Sequence, residues 1–194
     1  MAATLSGIHK YTRLITGTGE VATSNPLPVG ASPGGLASAG YTTAVSLTRT
    51  ADTNAYLASD VIGAATGSTA ALTFASMGPS AGNIRIIGTE LEIDASAVIS
   101  GETSYRLHLY NVTPPSALGD NAAFDVPSGD RASYLGFLEL GTPEDLGSTL
   151  YVQIAQAKDV LLAGTSLFGY LVTVGAYTPT SARVHKITLH TAAY

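Results

Sequence analysis

The sequence predicts an all-β protein, an antiparallel sandwich of eight or nine strands that follows an extended N-terminal arm. From Tyr41 onward, short apolar-rich runs are separated by Gly, Pro, Asn, Asp and Ser at the spacing typical of sandwiches and barrels. Residues 105–110 alternate apolar with polar side chains, which is the period of a strand. The length of 194 residues suits one such domain.

Within the clearest alternating run, Tyr105, Leu107 and Leu109 share one face, so the opposite face is predicted to be either wet or an interface. The candidate strands cover residues 42–48, 55–62, 71–75, 83–94, 104–112, 133–140, 149–155, 167–174 and 183–190.

The fourth run changes its apolar parity halfway along. Ile84 and Ile86 occupy one parity, whereas Leu91 and Ile93 occupy the other, and Gly88 lies between them. One inserted residue restores the inward face after such a slip. A β-bulge at Gly88 is therefore predicted.

Glu90, Glu92 and Asp94 then share the other face, which is predicted to be solvated or to meet a basic partner. A glycosidase pair is not expected there, because one carboxyl group would need an apolar pocket to raise its pKa and nothing nearby suggests one.

Residues 149–162 are the best helix candidate, because apolar side chains fall near helical spacing. A strand followed by a turn is preferred, since residues 149–154 also alternate and Gly147 and Gly164 bracket a length that suits this arrangement.

The first 40 residues differ from the rest, and the predicted division is an arm (1–40) followed by the sandwich (41–194). Residues 16–40 hold six Gly, three Pro and one charged residue, Glu20. Such a stretch cannot bury enough apolar surface to offset its ordering entropy. It is either a flexible tail or an arm that becomes ordered on a partner. Fully extended, these residues would reach up to about 80 Å.

The arm carries the predicted partner-binding residues. Lys10, Tyr11 and Arg13 put positive charge and an aromatic ring together near its tip. A tip of this kind can add a strand to the exposed sheet edge of a partner. Pro26, Pro28 and Pro33 limit the conformations of the free arm and so reduce the entropy lost on docking.

Composition excludes several classes of partner. Charged residues make up only 12% of the chain, so small neutral side chains must cover much of the surface. Such a surface is suited to packing against other protein. The net charge of −5 and the lack of a basic cluster argue against nucleic acid. With no cysteine, no secretory signal and no apolar run near 20 residues, a soluble protein folded in a reducing cytoplasm is expected.

No catalytic or metal-binding constellation is recognisable, so no enzyme activity, metal or cofactor is expected. The four histidines, His9, His108, His185 and His190, include no HExxH pattern, and the last two should point to opposite faces of one strand. No GxSxG elbow or phosphate-binding loop with its Lys occurs.

Two features hint at ligand binding. The ten tyrosines either supply exposed platforms for sugars or belong to the core and interfaces. Residues 111–131 form the longest predicted loop of the body, and long loops on a rigid sandwich often carry binding sites.

Four stretches carry a family resemblance: NAYLASDVIG at 54–63, YRLHLYNVTPP at 105–115, GTSLFGYLV at 164–172 and AYTP at 176–179. Across residues 41–191 the chain resembles small virion proteins of tailed bacteriophages and prophages. The resemblance implies a jelly-roll module on the outer surface of the particle, made in the bacterial host cytoplasm. It implies a capsid decoration or cement protein whose partners are the major capsid protein and neighbouring copies of itself.

Three functions stay open at this point: a capsid cement protein, a tail-tip or fibre-associated receptor- or carbohydrate-binding jelly roll, and a cellular carbohydrate-binding module or enzyme accessory domain. Oligomerisation is predicted from the low charge and from apolar segments such as residues 167–174. The preference for a trimer comes only from the resemblance.

Overall fold

The structure is a computed structural model that describes residues 15–16, 19–20, 39–64 and 69–194. The chain divides into two units, Met1–Leu36 and Ala37–Tyr194. In the first unit, β1 (Ile15–Thr16) pairs antiparallel with β2 (Gly19–Glu20).

The described part of the second unit contains ten strands and no helix, which confirms the all-β prediction. Accordingly, none of the described ranges includes a helix that could cross a bilayer. The strands are β3 (Gly40–Thr48), β4 (Val61–Ile62), β5 (Leu72–Phe74), β6 (Asn83–Asp94), β7 (Tyr105–Tyr110), β8 (Tyr134–Gly141), β9 (Glu144–Asp145), β10 (Thr149–Leu161), β11 (Leu167–Thr173) and β12 (Val184–Ala193).

The strand order follows the jelly-roll path. One antiparallel sheet has the order β3-β12-β6-β10-β9, and the other has the order β4-β11-β7-β8, with β5 also paired to β11. The pairs are nested: β3 with β12, β4 and β5 with β11, β6 with β10, and β7 with β8. Rolling such a nested antiparallel ribbon produces the two stacked sheets of a jelly roll. The predicted antiparallel jelly-roll sandwich is therefore confirmed. The ten strands fill eight jelly-roll positions, because β4 and β5 both pair with β11 and count as one position, and β9 only extends the edge beside β10.

The main core lies between the two sheets. Each fully buried Leu or Ile side chain contributes about 1.5–3 kcal/mol through loss of contact with water. From β6, β7 and β12 the core takes Ile84, Ile86, Leu91, Ile93, Tyr105, Leu107, Leu109, Ile187 and Leu189.

A bulge interrupts β6 where the sequence predicts one. Ile86 pairs with Thr191 and Gly88 pairs with His190, which leaves Ile87 without a partner on β12. The extra residue is thus Ile87, whose side chain is exposed. The inserted residue accounts for the change of parity, because it returns the following apolar side chains to the core.

Gly88 itself is not required by this bulge, and Gly88→Ala is expected to change the free energy of unfolding by less than about 0.5 kcal/mol. Its φ is not positive, and an added Cβ would lie 3.6 Å from His190 Cδ2, an ordinary contact. Gly101→Ala is the matched contrast, because Gly101 has φ +90° and its Cβ would lie 2.1 Å from the Ala176 carbonyl oxygen. It should cost at least about 1–3 kcal/mol. Urea unfolding measures the free energy of unfolding of both variants. If Gly88→Ala costs as much as the loss expected for Gly101→Ala, the bulge does need glycine.

β10 is a strand of 13 residues, so the strand interpretation is confirmed and the helix is wrong. The turn expected after residue 155 is also wrong, since the strand continues to Leu161. Beyond Ala155 it stays paired with β6 after a register shift between Ala155 and Lys158, and Val160 is buried.

The predicted strand at 55–62 is wrong except for β4. Ser59 has φ 70°, which lies outside the β region, and the Leu57 amide donates to Asp60 Oδ2 at 2.6 Å. A local side-chain bond therefore favours a turn before β4. The other predicted runs each correspond to a strand.

Candidate binding surfaces

The sequence-predicted partner-binding residues, Lys10, Tyr11, Arg13, Pro26 and Pro28, lie outside the described residues.

The second face of β7 and β11 is covered by the long loop between β7 and β8. Its main chain bonds back to the body, with Val61 N donating to Ala122 O and Phe124 N to Ser59 O, both at 2.8 Å. Beneath it lies a second apolar cluster. The face predicted to be wet or an interface is thus occupied largely by the chain's own loop.

The same burial explains the apolar character of residues 167–174, one of the observations from which oligomerisation is predicted. In residues 167–174, all but Phe168 and Val174 are buried. The segment is apolar because β11 packs on both faces within one chain, and it offers no surface to a second copy.

Where the loop ends, aromatic side chains stack around His108. Its Nδ1 lies 2.9 Å from the Tyr134 hydroxyl, and its ring centroid lies 3.7 Å from that of Phe124. The Arg106 guanidinium sits 4.9 Å above the exposed ring of Phe137. Burial, helped by Arg106, lowers the pKa of His108 to about 4, so the imidazole is neutral at physiological pH.

A buried polar network ties together the loops at one end of the sandwich. The Arg49 side chain is fully buried, and its Nε donates to the Tyr56 hydroxyl at 3.0 Å. Tyr56 donates in turn to Asp120 Oδ1 at 2.5 Å, and Gly63 N donates to the same oxygen at 2.8 Å. Because the hydrogen bonds link the buried Arg49 guanidinium to the buried Asp120 carboxylate through Tyr56, these two charges are compensated within the network.

A second buried pair lies close by. Arg183 donates to Glu102 Oε2 at 2.9 Å, and both side chains are fully buried. Tyr105 donates to the other carboxylate oxygen and lies 3.2 Å from the Tyr177 hydroxyl. Both oxygens of the Glu102 carboxylate therefore accept hydrogen bonds from buried groups, and this carboxylate is not accessible as an acid or base.

On the outer face of the first sheet, the predicted basic partner is found within the same chain. Glu92 accepts from Lys186 Nζ at 2.9 and 3.1 Å, and Glu90 lies 3.1 Å from His190 Nε2. β12 supplies both partners because it neighbours β6 in the sheet. His185, by contrast, is fully buried, so the predicted opposite faces of His185 and His190 are confirmed.

A groove of about 380 Å³ opens beside this face at the boundary of β9 and β10. β9 pairs with β10 only at Leu150 and Tyr151, so among the described residues no strand is paired with the next residues of β10 on that side. The groove is lined by Thr142, Glu144 and Tyr151 through Ile154.

One edge of the first sheet is β3, which among the described residues pairs only with β12. Arg49 N donates to Arg183 O at 3.0 Å, and Ala193 N donates to Ala39 O at 2.9 Å. These bonds flank the ladder, so its odd-numbered β3 residues form the hydrogen-bonded pairs. The N–H and C=O groups that point away from β12 therefore belong to Thr42, Ala44, Ser46 and Thr48.

This edge lacks the usual protection. Gly40–Thr48 contains no charged residue and no Pro, whereas natural edge strands are commonly blunted by Lys or Pro. Sequence reasoning identified the strand but missed the edge, although the absence of charge along an entire strand was an available signal.

The tyrosines divide between core and surface. Tyr56, Tyr105, Tyr110, Tyr170 and Tyr177 are buried, as expected for core tyrosines. Tyr151 is half-buried and lines an open groove.

Metal ligation has no candidate centre in residues 39–64 and 69–194. No group of three or more His, Asp or Glu side chains there is arranged to hold an ion.

No protein-family model matches the sequence, and no curated protein matches it. Among solved structures, the chain is similar to the C-terminal CBM6 of LamC from Zobellia galactanivorans, with 14% identity, 78% of this chain and 99% of that chain covered, and TM-score 0.32. It is similar to the capsid of Helicobacter pylori bacteriophage KHP30, with 12% identity, coverages of 79% and 86%, and TM-score 0.31. Similarity to infectious bursal disease virus VP2 covers 95% of this chain and 40% of that chain, with 13% identity and TM-score 0.34. At these scores the neighbours carry no functional argument.

Proposed function

We propose that the chain is a bacteriophage virion structural protein, a decoration or cement protein that binds the major capsid protein lattice on the outer surface and stabilises the head. The observation that carries this proposal is the unprotected edge of β3. The sequence resemblance to phage virion proteins supports the same assignment.

The free edge offers main-chain affinity for another chain. An incoming strand can bond to the outward N–H and C=O groups along β3, and alternate side chains then define specificity. Ala44 and Ser46 are small and exposed, so neither charge nor bulk opposes close approach. Strand addition at such an edge is one way in which an assembly protein can bind its neighbours.

The arm supplies the second proposed attachment. Residues 1–40 anchor the protein to neighbouring subunits through Lys10, Tyr11, Arg13, Pro26 and Pro28, and residues 41–194 form the body. Self-association as trimers at three-fold positions of the lattice is part of the same proposal, as is synthesis in the host cytoplasm.

The test replaces Ala44 by Pro and measures occupancy on virions of the phage that encodes this chain. Pro removes one outward N–H, which an edge strand tolerates, so the melting temperature should change little. Wild-type copies on purified virions should approach the number of major capsid subunits, and Ala44→Pro should reduce binding to depleted particles by about tenfold or more.

Ser80→Pro is the matched control. Ser80 occupies the second position of an exposed turn closed by Gly82 N and Pro79 O at 3.0 Å, and Ala81 there has φ 53°, so the geometry accepts Pro. Full occupancy by Ala44→Pro would refute the role of β3. A few wild-type copies per particle would refute decoration and support a tail-tip or fibre location.

A further inference from the structure

We propose that the groove beside Tyr151 binds a neutral oligosaccharide, a binding activity beyond the proposed decoration role. The relevant side chains are Tyr151, Gln153, Glu144 and Thr142, which line one groove of about 380 Å³. Sugars need a platform for their C–H face together with several hydrogen-bonding groups, and the groove combines the two.

The sheet register places the ring of Tyr151 between two acidic positions. Tyr151 pairs with Glu144 on β9 and with Glu92 on β6. Residues opposite each other in antiparallel strands have Cβ atoms about 4.5–5.5 Å apart, so the acidic side chains flank the ring. Sugar hydroxyl groups can donate to carboxylates on both sides of a stacked ring.

The same row supplies donors as well as acceptors. Lys186 pairs in register with Glu92 and extends the row to a fourth strand. Glu92 and Lys186 do not line the groove itself but continue this row across the sheet. At about 4.8 Å between strands, the row from Glu144 to Lys186 spans about 14 Å, which suits a short chain of sugars. Gln153 adds an amide that both donates and accepts.

Charge pairing favours a neutral ligand over a cation. Lys186 already neutralises Glu92, so this carboxylate is not a free counter-ion, and the His190 Nε2 atom lies 3.1 Å from Glu90 Oε1. Partial burial and the nearby Glu90 and Glu92 carboxylates raise the pKa of Tyr151, so its hydroxyl remains a donor at neutral pH. This mixture of donors and acceptors matches hydroxyl groups better than an ammonium group.

The test is affinity electrophoresis of the full chain in gels containing dextran, mannan, galactan or glycol chitin, followed by calorimetry with a tetrasaccharide from any polymer that retards it. Wild type should be retarded by at least one polymer. Tyr151→Ala should weaken the measured affinity about tenfold or more, and Gln153→Ala should weaken it several-fold. Tyr151→Phe keeps the stacking ring and should retain most of the affinity.

Tyr194→Ala is the matched control, because Tyr194 is an exposed tyrosine that does not line the groove. Unchanged retardation of Tyr151→Ala and Gln153→Ala would overturn the proposal, as would retardation by no polymer. Retention by poly-lysine alone would overturn it in favour of a cation site. Ala44→Pro should keep sugar binding and Tyr151→Ala should keep virion occupancy, so the two proposals fail separately.

Discussion

Replacing Arg183 by Leu is expected to lower the free energy of unfolding by about 3–5 kcal/mol, because it leaves the Glu102 carboxylate buried without its counter-charge. The two groups lie 2.9 Å apart and neither is exposed. Glu102 also accepts from the Ile99 amide at 3.0 Å, so it cannot turn to solvent without breaking the loop before β7. Urea unfolding monitored by tyrosine fluorescence measures the loss.

Removing both charges distinguishes the net contribution of the ion pair to the free energy of unfolding from the cost of leaving one buried charge without its partner. The double variant Arg183→Leu with Glu102→Leu should recover part of the loss, since a buried ion pair is often replaceable by apolar groups. Within the part of the chain that the structure describes, Arg183 Nε and Nη2 have no hydrogen-bond partner, which adds to the expected recovery.

The surface pair Arg85–Asp159 provides the control. These side chains are about half exposed, at 53% and 49%, and Arg85→Leu should cost no more than about 1 kcal/mol. If Arg183→Leu costs as little as Arg85→Leu, the buried network does not stabilise this end of the sandwich.

Stability is expected to fall as the pH drops from about 6.5 towards 5, because two buried histidines resist protonation. Burial lowers the pKa of His185 to about 3 and that of His108 to about 4, with nearby arginines adding to both effects. Below the ordinary histidine pKa of about 6.5, the unfolded chain binds protons that the folded chain does not. Below about pH 6.5, each histidine therefore lowers the free energy of unfolding by up to about 1.4 kcal/mol per pH unit. Above pH 7 both histidines are neutral in the folded and the unfolded chain, and this loss is absent.

His185→Leu isolates one of these contributions. Among the described residues, no group meets either ring nitrogen of His185 in a hydrogen bond of normal length and angle, so the substitution should leave stability at pH 7 unchanged or slightly higher. The slope of unfolding free energy between pH 6 and 5 should become shallower. Urea unfolding at pH 7, 6, 5.5 and 5 tests this, and an unchanged slope would mean that His185 is not responsible.

Local patterns predicted the strands well where one face meets the core. β6 has the predicted bounds, 83–94, and its bulge follows from the parity change between Ile86 and Leu91. These features are readable because alternation and turn residues act over a few neighbouring positions. At 55–62 the pattern misled, since the turn depends on the Asp60 side chain bonding to a backbone amide.

Side-chain pattern alone thus determined the fold class, most strand positions and the division of each strand into two faces. Only the tertiary structure decided that the β7–β8 loop covers one sheet, that β3 is a free edge, and that Glu92 meets Lys186. The groove at Tyr151 likewise exists because β9 is short and ends beside it. Alternation relates residues along one strand, whereas sheet order and loop coverage depend on partners distant in sequence, which no local period encodes.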